Sequence, residues 1–304
     1  MTGGATESRD QESPVPRASL AVALAVLAAA IGAGCASSRE ARPFDGQRAY
    51  ELVAQQLEFG PRIPGSDGSR RAGEWIQQEL KEAGWEIKIQ SFNYHGIELR
   101  NFIGMAGPAD DPPVVLGAHY DTRPKADQDP SDPAAPVPGA NDGGSGVAVL
   151  LELAAAMPPD TLPRAVWMVF FDAEDSGGIE GWDWILGSSH LVETLEAEIE
   201  SAVVVDMVGD ADLRLPLELN STGTLQQEIW LTAQTLGYSA FVAEPGPSIL
   251  DDHTPFLRAG IPAVDIIDFE YPPWHTQADT LDKVSPASLE QVGRTLQTWL
   301  SRQP

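Results

Sequence analysis

Residues 165–177, AVWMVFFDAEDSG, decide the fold of this chain. Their apolar beginning is rich in β-branched and aromatic side chains and too short for a helix, so it predicts a buried strand. Asp172, Glu174 and Asp175 follow directly. In an open α/β sheet, ligands and catalytic groups collect at the carboxyl edge of the strands, which makes these acids candidate site residues. A solvated acidic turn is the competing interpretation, because the chain has 45 acidic residues.

Other apolar runs lead into ionisable residues in the same way. These runs are 113–118 followed by His119, 202–205 followed by Asp206, and 262–267 with His275 in the loop beyond. A glycine-rich turn, residues 139–146, holds Asp142 and leads into a helical pattern over residues 147–156, and a further helix is predicted from about residue 188 to residue 200. Because helical patterns separate the strands, we predict a three-layer α/β/α sandwich around a mixed, mostly parallel sheet. The shared placement favours a functional site over unrelated surface acids.

Composition narrows the range of functions. With 304 residues and 42% hydrophobic side chains, the chain can bury a sizeable core. A formal net charge of −26 argues against nucleic acid and anionic lipid surfaces as partners, and it favours cationic groups such as peptide N-termini. Cys35 is the sole cysteine, which excludes an internal disulfide and a thiolate metal site. Any metal must therefore be held by His, Asp and Glu.

The N-terminus has the pattern of an export signal. An apolar run over residues 20–31 has the length of a signal-peptide core and is short for a bilayer span. Small residues follow, directly before Cys35, and this resembles a bacterial lipoprotein signal in which the cysteine is lipidated. We therefore predict a leader over residues 1–35, a tether over 36–42 and a catalytic domain over 43–304. A lipid-anchored protein of the cell envelope is expected, with membrane contact only through Cys35; an uncleaved anchor and a plain secreted protein remain alternatives.

The residues at the strand ends suit a metal ion. Asp142, Asp175 and His275 offer oxygen and nitrogen ligands with an open fourth position, the arrangement that lets zinc act as a Lewis acid. Asp121 could accept a hydrogen bond from the second ring nitrogen of His119 and fix its tautomer. Glu174, next to a ligand, is predicted to be the general acid and base. The other histidines, His95, His190 and His253, are expected to be structural.

Several motifs resemble the zinc aminopeptidase superfamily and, within it, the animal-type glutaminyl cyclases that also occur in bacteria. They are FGPRIPGSDGS, GAHYDT, GANDGGSGVA, FFDAEDSG, GSSHL, VVVDMVG, DDHTPFLRAGIP and WHTQADTLD, from about residue 59 to the C-terminus. The resemblance implies a zinc exopeptidase-like fold. It also implies one zinc on Asp142, Asp175 and His275, with Glu174 moving the proton. A hydrogen-bonded acid pair, Asp206 and Asp252, would lie beside Glu174, and Trp274 would wall the pocket together with Trp182 or Trp184.

Cyclase and aminopeptidase activities share this metal set. An aminopeptidase would add a second zinc on His119 and Asp206, with Asp142 bridging, to activate water. A cyclase needs one zinc, and the amine of an N-terminal glutamine attacks its own side-chain amide. Trp274 before His275, and an acid in DDH where peptidases commonly have serine, favour the cyclase. A binding protein or inactive relative is the third possibility; substrates beyond peptide or protein N-termini and the oligomeric state stay open.

Overall fold

A six-stranded mixed sheet forms the centre of the fold in the computed structural model, which describes residues 1–5, 10 and 40–302. The strands of this sheet are β1 Glu86–Tyr94, β2 Ile97–Ala106, β3 Val114–His119, β4 Val166–Phe171, β5 Ser201–Asp206 and β8 Ala263–Ile267, in the order β1-β2-β4-β3-β5-β8. Strands β4, β3, β5 and β8 run parallel, and the β1–β2 hairpin joins them antiparallel. The predicted buried strand is β4, between β2 and β3. A separate parallel pair consists of β6 Leu215–Leu217 and β7 Phe241–Pro245.

Helices cover both faces of the sheet because its strands are apolar on both sides. In β3, Val114 and Leu116 pack into one cluster of buried side chains and Val115 into another. The first cluster is shared with α1 Gly46–Leu57, α2 Asp67–Ala83, α3 Gly144–Ala156, α5 Gly223–Thr235 and α7 Pro286–Leu300, and the second with α4 Leu186–Glu193 and α6 Thr254–Arg258. Helix α3 is apolar nearly all round and is accordingly buried. The predicted three-layer sandwich is confirmed.

The chain divides into two compact units, Met1–Arg39 and Glu40–Pro304. The second unit holds every strand and helix named above. Most of the predicted leader and most of the predicted tether lie outside the described residues, so both remain predictions. Arg42, the last tether residue, already belongs to the fold: its backbone N–H donates to Ala156 O at 3.0 Å. No helix within residues 1–5, 10 and 40–302 is long and apolar enough to cross a membrane.

Candidate metal centre

The carboxyl edge of the parallel strands gathers the predicted site residues. His119 and Asp206 are the last residues of the neighbouring strands β3 and β5, and Glu174 and Asp175 follow β4. His275 comes from the loop after β8. Ligand atoms in each of two overlapping groups lie within 4.8 Å of one another; the groups are Asp142, Asp175 and His275, and His119, Asp142 and Asp206.

The first group has the geometry and chemistry of a metal site. His275 Nε2 is 3.0 Å from Asp175 Oδ1 and 3.8 Å from Asp142 Oδ2. All three side chains are buried. Asp142 Oδ2 and Asp175 Oδ2 have no hydrogen-bond partner within the described part of the chain. Since buried carboxylate oxygens are costly without a partner, these atoms fit a bound cation.

The second group shares Asp142 with the first. His119 Nε2 lies 3.2 Å from Asp142 Oδ1 and 3.1 Å from Asp206 Oδ1. Asp142 therefore turns one oxygen toward each histidine, which is the arrangement expected of a carboxylate that bridges two metal ions. This geometry is compatible with two bound metal ions as well as with one.

Asp121 contacts residues that belong to both groups of ligands. Its Oδ1 lies 3.4 Å from His119 Nδ1, as predicted, so Nε2 faces the site. The same carboxylate accepts the backbone N–H groups of Glu174 at 3.0 Å and Asp175 at 3.2 Å. It thus links the end of β3 to the turn after β4, a role that the sequence motif alone did not reveal.

Asp279 is a site residue that the sequence did not single out. It accepts the backbone N–H of Asn141 at 2.9 Å and of Asp142 at 3.2 Å, and the hydroxyl of Tyr271 at 2.7 Å. These bonds hold the glycine-rich turn that presents Asp142. Asp279 lies in the motif WHTQADTLD, which was the available signal.

Three non-glycine residues of the site have left-handed backbone. Ala173 has a φ of 56°, Met207 of 46° and His275 of 55°. Ala173 precedes Glu174 and Met207 follows Asp206, so each bend aims a site side chain. Such conformations cost on the order of 1–3 kcal/mol each and persist where the surrounding structure enforces them, commonly at functional sites.

Burial and neighbouring charges shift the pKa values of the acids. Glu174 is 9% exposed, and burial raises its pKa well above the ordinary value; nearby Asp175 and Asp251 add to the rise, while His119 opposes it. Burial also raises the pKa of Asp206 to about 7 and that of Asp175 to about 6. For Asp142, His119 and His275 outweigh burial and lower the pKa. Acids with pKa values pushed apart in one site are typical of proton-transfer centres.

A cavity of about 290 Å³ opens onto these groups. His275 lies beside two indole rings: the centre of the Trp274 ring is 3.8 Å from that of the imidazole, at an interplanar angle of 27°, and the centre of the Trp184 ring is 6.2 Å away, at 9°. Ile249 and Met207 complete an apolar wall, and Glu174 lines the same cavity. The cavity is therefore lined by acidic side chains together with aromatic ones.

Trp182 does not lie where we predicted a substrate contact. It packs against the tip of the β1–β2 hairpin, with its ring 5.3 Å from that of Tyr94 and 6.1 Å from that of His95. The cause is a tight turn in which Gly178 N–H donates to Trp182 O at 3.0 Å, and which directs Trp182 away from the cavity. Trp184, the other candidate, lines the cavity instead.

Asp252 also differs from the prediction of a hydrogen bond with Asp206. Its Oδ1 accepts the Ser188 hydroxyl at 2.5 Å, its Oδ2 has no hydrogen-bond partner among the described residues, and its side chain is fully buried. The preceding residue, Asp251, lines the cavity with Asp206 and Glu174. Asp251 and Asp252 are adjacent in the turn before helix α6 and only Asp251 lines the cavity, so the sequence could not assign the facing acid.

The three histidines expected to be structural lie outside both groups of ligands. His190 stacks on Phe92 at 4.3 Å, and His95 contacts Tyr94. His253 is buried between Glu218 and Asp265, with ring nitrogens 3.5 and 3.7 Å from their carboxylates.

A mixed sheet with adjoining carboxylate and histidine groups at its carboxyl edge defines the class of metal-dependent exopeptidases and their relatives. A family profile places this chain within that class. The chain belongs to peptidase family M28, whose profile matches residues 101–300. The resemblance stated from the motifs is confirmed.

Individual relatives include both cyclases and a peptidase. A glutaminyl-peptide cyclotransferase-like protein of Bos taurus is 26% identical over 285 residues, covering 79% of this chain and 71% of the relative. Aminopeptidase YwaD of Bacillus subtilis is 30% identical over 249 residues, covering 76% of this chain and 49% of that relative. The solved structure of Bacteroides thetaiotaomicron glutaminyl cyclase, bound to N-acetylhistamine, matches with a TM-score of 0.82 at 30% identity, covering 87% of this chain and 100% of that one.

Proposed function

We propose that this chain is a zinc-dependent glutaminyl-peptide cyclotransferase, which converts N-terminal glutamine of peptides or proteins to pyroglutamate and releases ammonia. The observation that carries the proposal is the cavity in which Glu174 and the first ligand group lie beside two indole rings. Cyclases among the similar sequences and structures support it. The proposed substrate, a peptide N-terminus, is cationic, which suits the acidic chain.

The first ligand group fits zinc. Asp142, Asp175 and His275 supply oxygen and nitrogen ligands, and two of their oxygens lack other partners among the described residues. A zinc ion held there would act as a Lewis acid on the side-chain amide of the substrate glutamine. His275 Nε2 approaches Asp175 Oδ1 to 3.0 Å, which supports the place of Asp175 in this ligand set.

Glu174 is proposed to move the proton. As a carboxylate it takes a proton from the substrate α-amine while that nitrogen forms a bond to the side-chain amide carbon. It then gives the proton to the amide nitrogen, the carbon–nitrogen bond breaks, and ammonia leaves. The nucleophile belongs to the substrate itself, so holding it in position supplies much of the acceleration.

The walls of the cavity suit a reaction that needs no water. Trp184, Trp274 and Ile249 place apolar surface around the reacting groups. Asp206 and Asp251 line the same cavity and would keep negative charge near Glu174, which favours uptake of the amine proton by the Glu174 carboxylate.

A two-zinc aminopeptidase is the second candidate, because His119, Asp142 and Asp206 form a second ligand group. The deciding experiment incubates purified protein with Gln-peptides and Leu-peptides and measures ammonia and free amino acids. The cyclase releases ammonia from Gln-peptides alone. Leucine released from Leu-peptides without ammonia would establish the peptidase instead.

We also propose that the catalytic domain is exported and anchored in the cell envelope through lipidated Cys35. The apolar run before Cys35 supports this proposal. Cys35→Ser should move the protein from the membrane fraction to the soluble fraction. An unchanged membrane fraction would contradict lipid anchoring.

A further inference from the structure

The loop from Arg123 to Pro138 is rich in proline and aspartate, and its composition suggests a purely solvent-exposed connection. The structure instead packs its beginning against the metal centre. Arg123 is only 3% exposed, although it carries a charge. A buried guanidinium requires hydrogen-bond partners, and the partners of Arg123 indicate what this side chain does.

Arg123 binds the elements that carry one proposed metal ligand. Its Nη1 donates to the backbone oxygen of Asp175 at 3.0 Å, to Asp175 Oδ1 at 3.3 Å and to Gly177 O at 3.3 Å. Its guanidinium carbon lies 4.8 Å from the centre of the Trp184 ring. One side chain therefore fixes a ligand carboxylate and a cavity wall.

Asp127 connects the same arginine to the other side of the centre. It accepts two parallel bonds from Arg123, at 2.7 Å from Nε and 2.8 Å from Nη2. Its Oδ1 is also 3.5 Å from His275 Nδ1. The adjacent Gln128 N–H donates to His275 O at 3.2 Å, so the loop holds both the ring and the backbone of that histidine.

The orientation of His275 gives this contact a chemical role. Its Nε2 faces Asp175 and Asp142, so Nε2 must be the unprotonated nitrogen when a metal is bound. The proton then resides on Nδ1, which faces Asp127. Carboxylates placed in this way fix the tautomer and ring orientation of metal-binding histidines.

We propose that Arg123 and Asp127 are a pair of positioning residues that orient Asp175 and His275 for metal binding. The inference rests on the metal centre of the proposed function and goes beyond it, since neither residue belongs to the ligand groups. Arg123 reaches the carboxylate ligand, Asp127 reaches the histidine ligand, and the two parallel bonds between them hold the ligands in register.

The test compares Asp127→Asn with Asp132→Asn, using the full chain. Asp127 has a side chain that is 41% exposed, so its replacement should leave the fold intact. Asp132 is an exposed aspartate of the same loop and controls for the loss of one negative charge. Zinc affinity is measured by competition with a chelator, and the visible spectrum of the cobalt-loaded protein reports ligand geometry.

Asp127→Asn should weaken zinc binding about 10–100-fold relative to wild type and alter the cobalt spectrum, as removal of such outer partners typically does. Asp132→Asn should match wild type in both measurements. The melting temperature of the metal-free protein should be the same for both variants, which separates positioning from folding.

Equal zinc affinity and equal cobalt spectra for the two aspartate variants would overturn the inference while leaving the proposed function intact. Absence of zinc binding by the wild-type protein would refute the metal centre itself, and the inference with it. Arg123→Lys is a second variant: it keeps the charge but loses the two parallel bonds, and it should also weaken zinc binding.

Discussion

Replacing Glu174 by glutamine tests the proton-transfer step most specifically. Glutamine has nearly the same shape as glutamate but cannot take a proton from the substrate amine. Glu174 lines the cavity and is 9% exposed, so water has little access to replace it. The ligand group of Asp142, Asp175 and His275 does not include Glu174, so zinc should remain bound.

General acid and base catalysis by a positioned side chain contributes about 10²–10⁴-fold to a rate. Glu174 is proposed to act both as base and as acid, so Glu174→Gln should lower kcat by a factor in this range. The corresponding rise in the activation free energy is about 3–5 kcal/mol. Zinc content should stay equal to that of the wild type, because the ligands are untouched.

The assay measures ammonia released from a Gln-peptide under saturating substrate, together with zinc content by metal analysis. Glu180→Gln is the matched control: this exposed glutamate of the following loop pairs with Lys125 and does not line the cavity. A kcat for Glu174→Gln within tenfold of that of Glu180→Gln would remove Glu174 from the proton-transfer role.

Other predictions concern the walls, the acids and the metal. Trp184→Ala should raise KM for Gln-peptides at least about tenfold, because burying an aromatic side chain against the substrate contributes about 1.4 kcal/mol or more. Trp182→Ala should leave KM unchanged. Equal effects of the two substitutions would contradict the assignment of Trp184 to the cavity. Burial raises the pKa of Asp172 to about 7, so its protonated form stabilises the fold at low pH and that contribution disappears as pH rises toward 7. In urea unfolding of metal-free protein, Asp172→Asn should therefore gain stability over wild type between pH 4 and pH 8, by about 4 kcal/mol at most; a constant difference would contradict the burial argument. Chelation of the metal should abolish ammonia release and added zinc should restore it, and activity that survives complete metal removal would contradict a metal-dependent reaction.

The sheet could be predicted because its strands are short apolar runs, each bounded by polar or turn residues. Apolar runs of this length are too short for a buried helix and therefore indicate strands. Strands β4 and β5 begin and end within one residue of the predicted runs. The helix predicted over residues 188–200 instead spans Leu186–Glu193. Thr194 Oγ1 bonds to His190 O at 2.7 Å, and beyond it Ile199 packs into the second cluster of buried side chains. Tertiary packing thus overrides the helical pattern.

The ligand positions could be predicted because parallel strands end at a common edge. The finer assignments depend on backbone turns that composition does not encode. Trp182 and Trp184 are separated by a single residue, and a tight turn decides which one reaches the cavity. Asp251 and Asp252 are adjacent in the turn before helix α6, and only Asp251 reaches the cavity. The contacts of Arg123 and Asp127 join parts of the chain about 50 and 150 residues apart, and no local pattern reports them.

The central claim is that Asp142, Asp175 and His275 share one zinc ion in a cyclase. Crystals of the zinc-loaded protein, measured at the zinc absorption edge, locate the metal by anomalous scattering. The claim predicts a single peak at about 2.0–2.2 Å from one atom of each of these three residues. Absence of a peak there would contradict it, and a second strong peak between His119 and Asp206 would favour the two-zinc aminopeptidase.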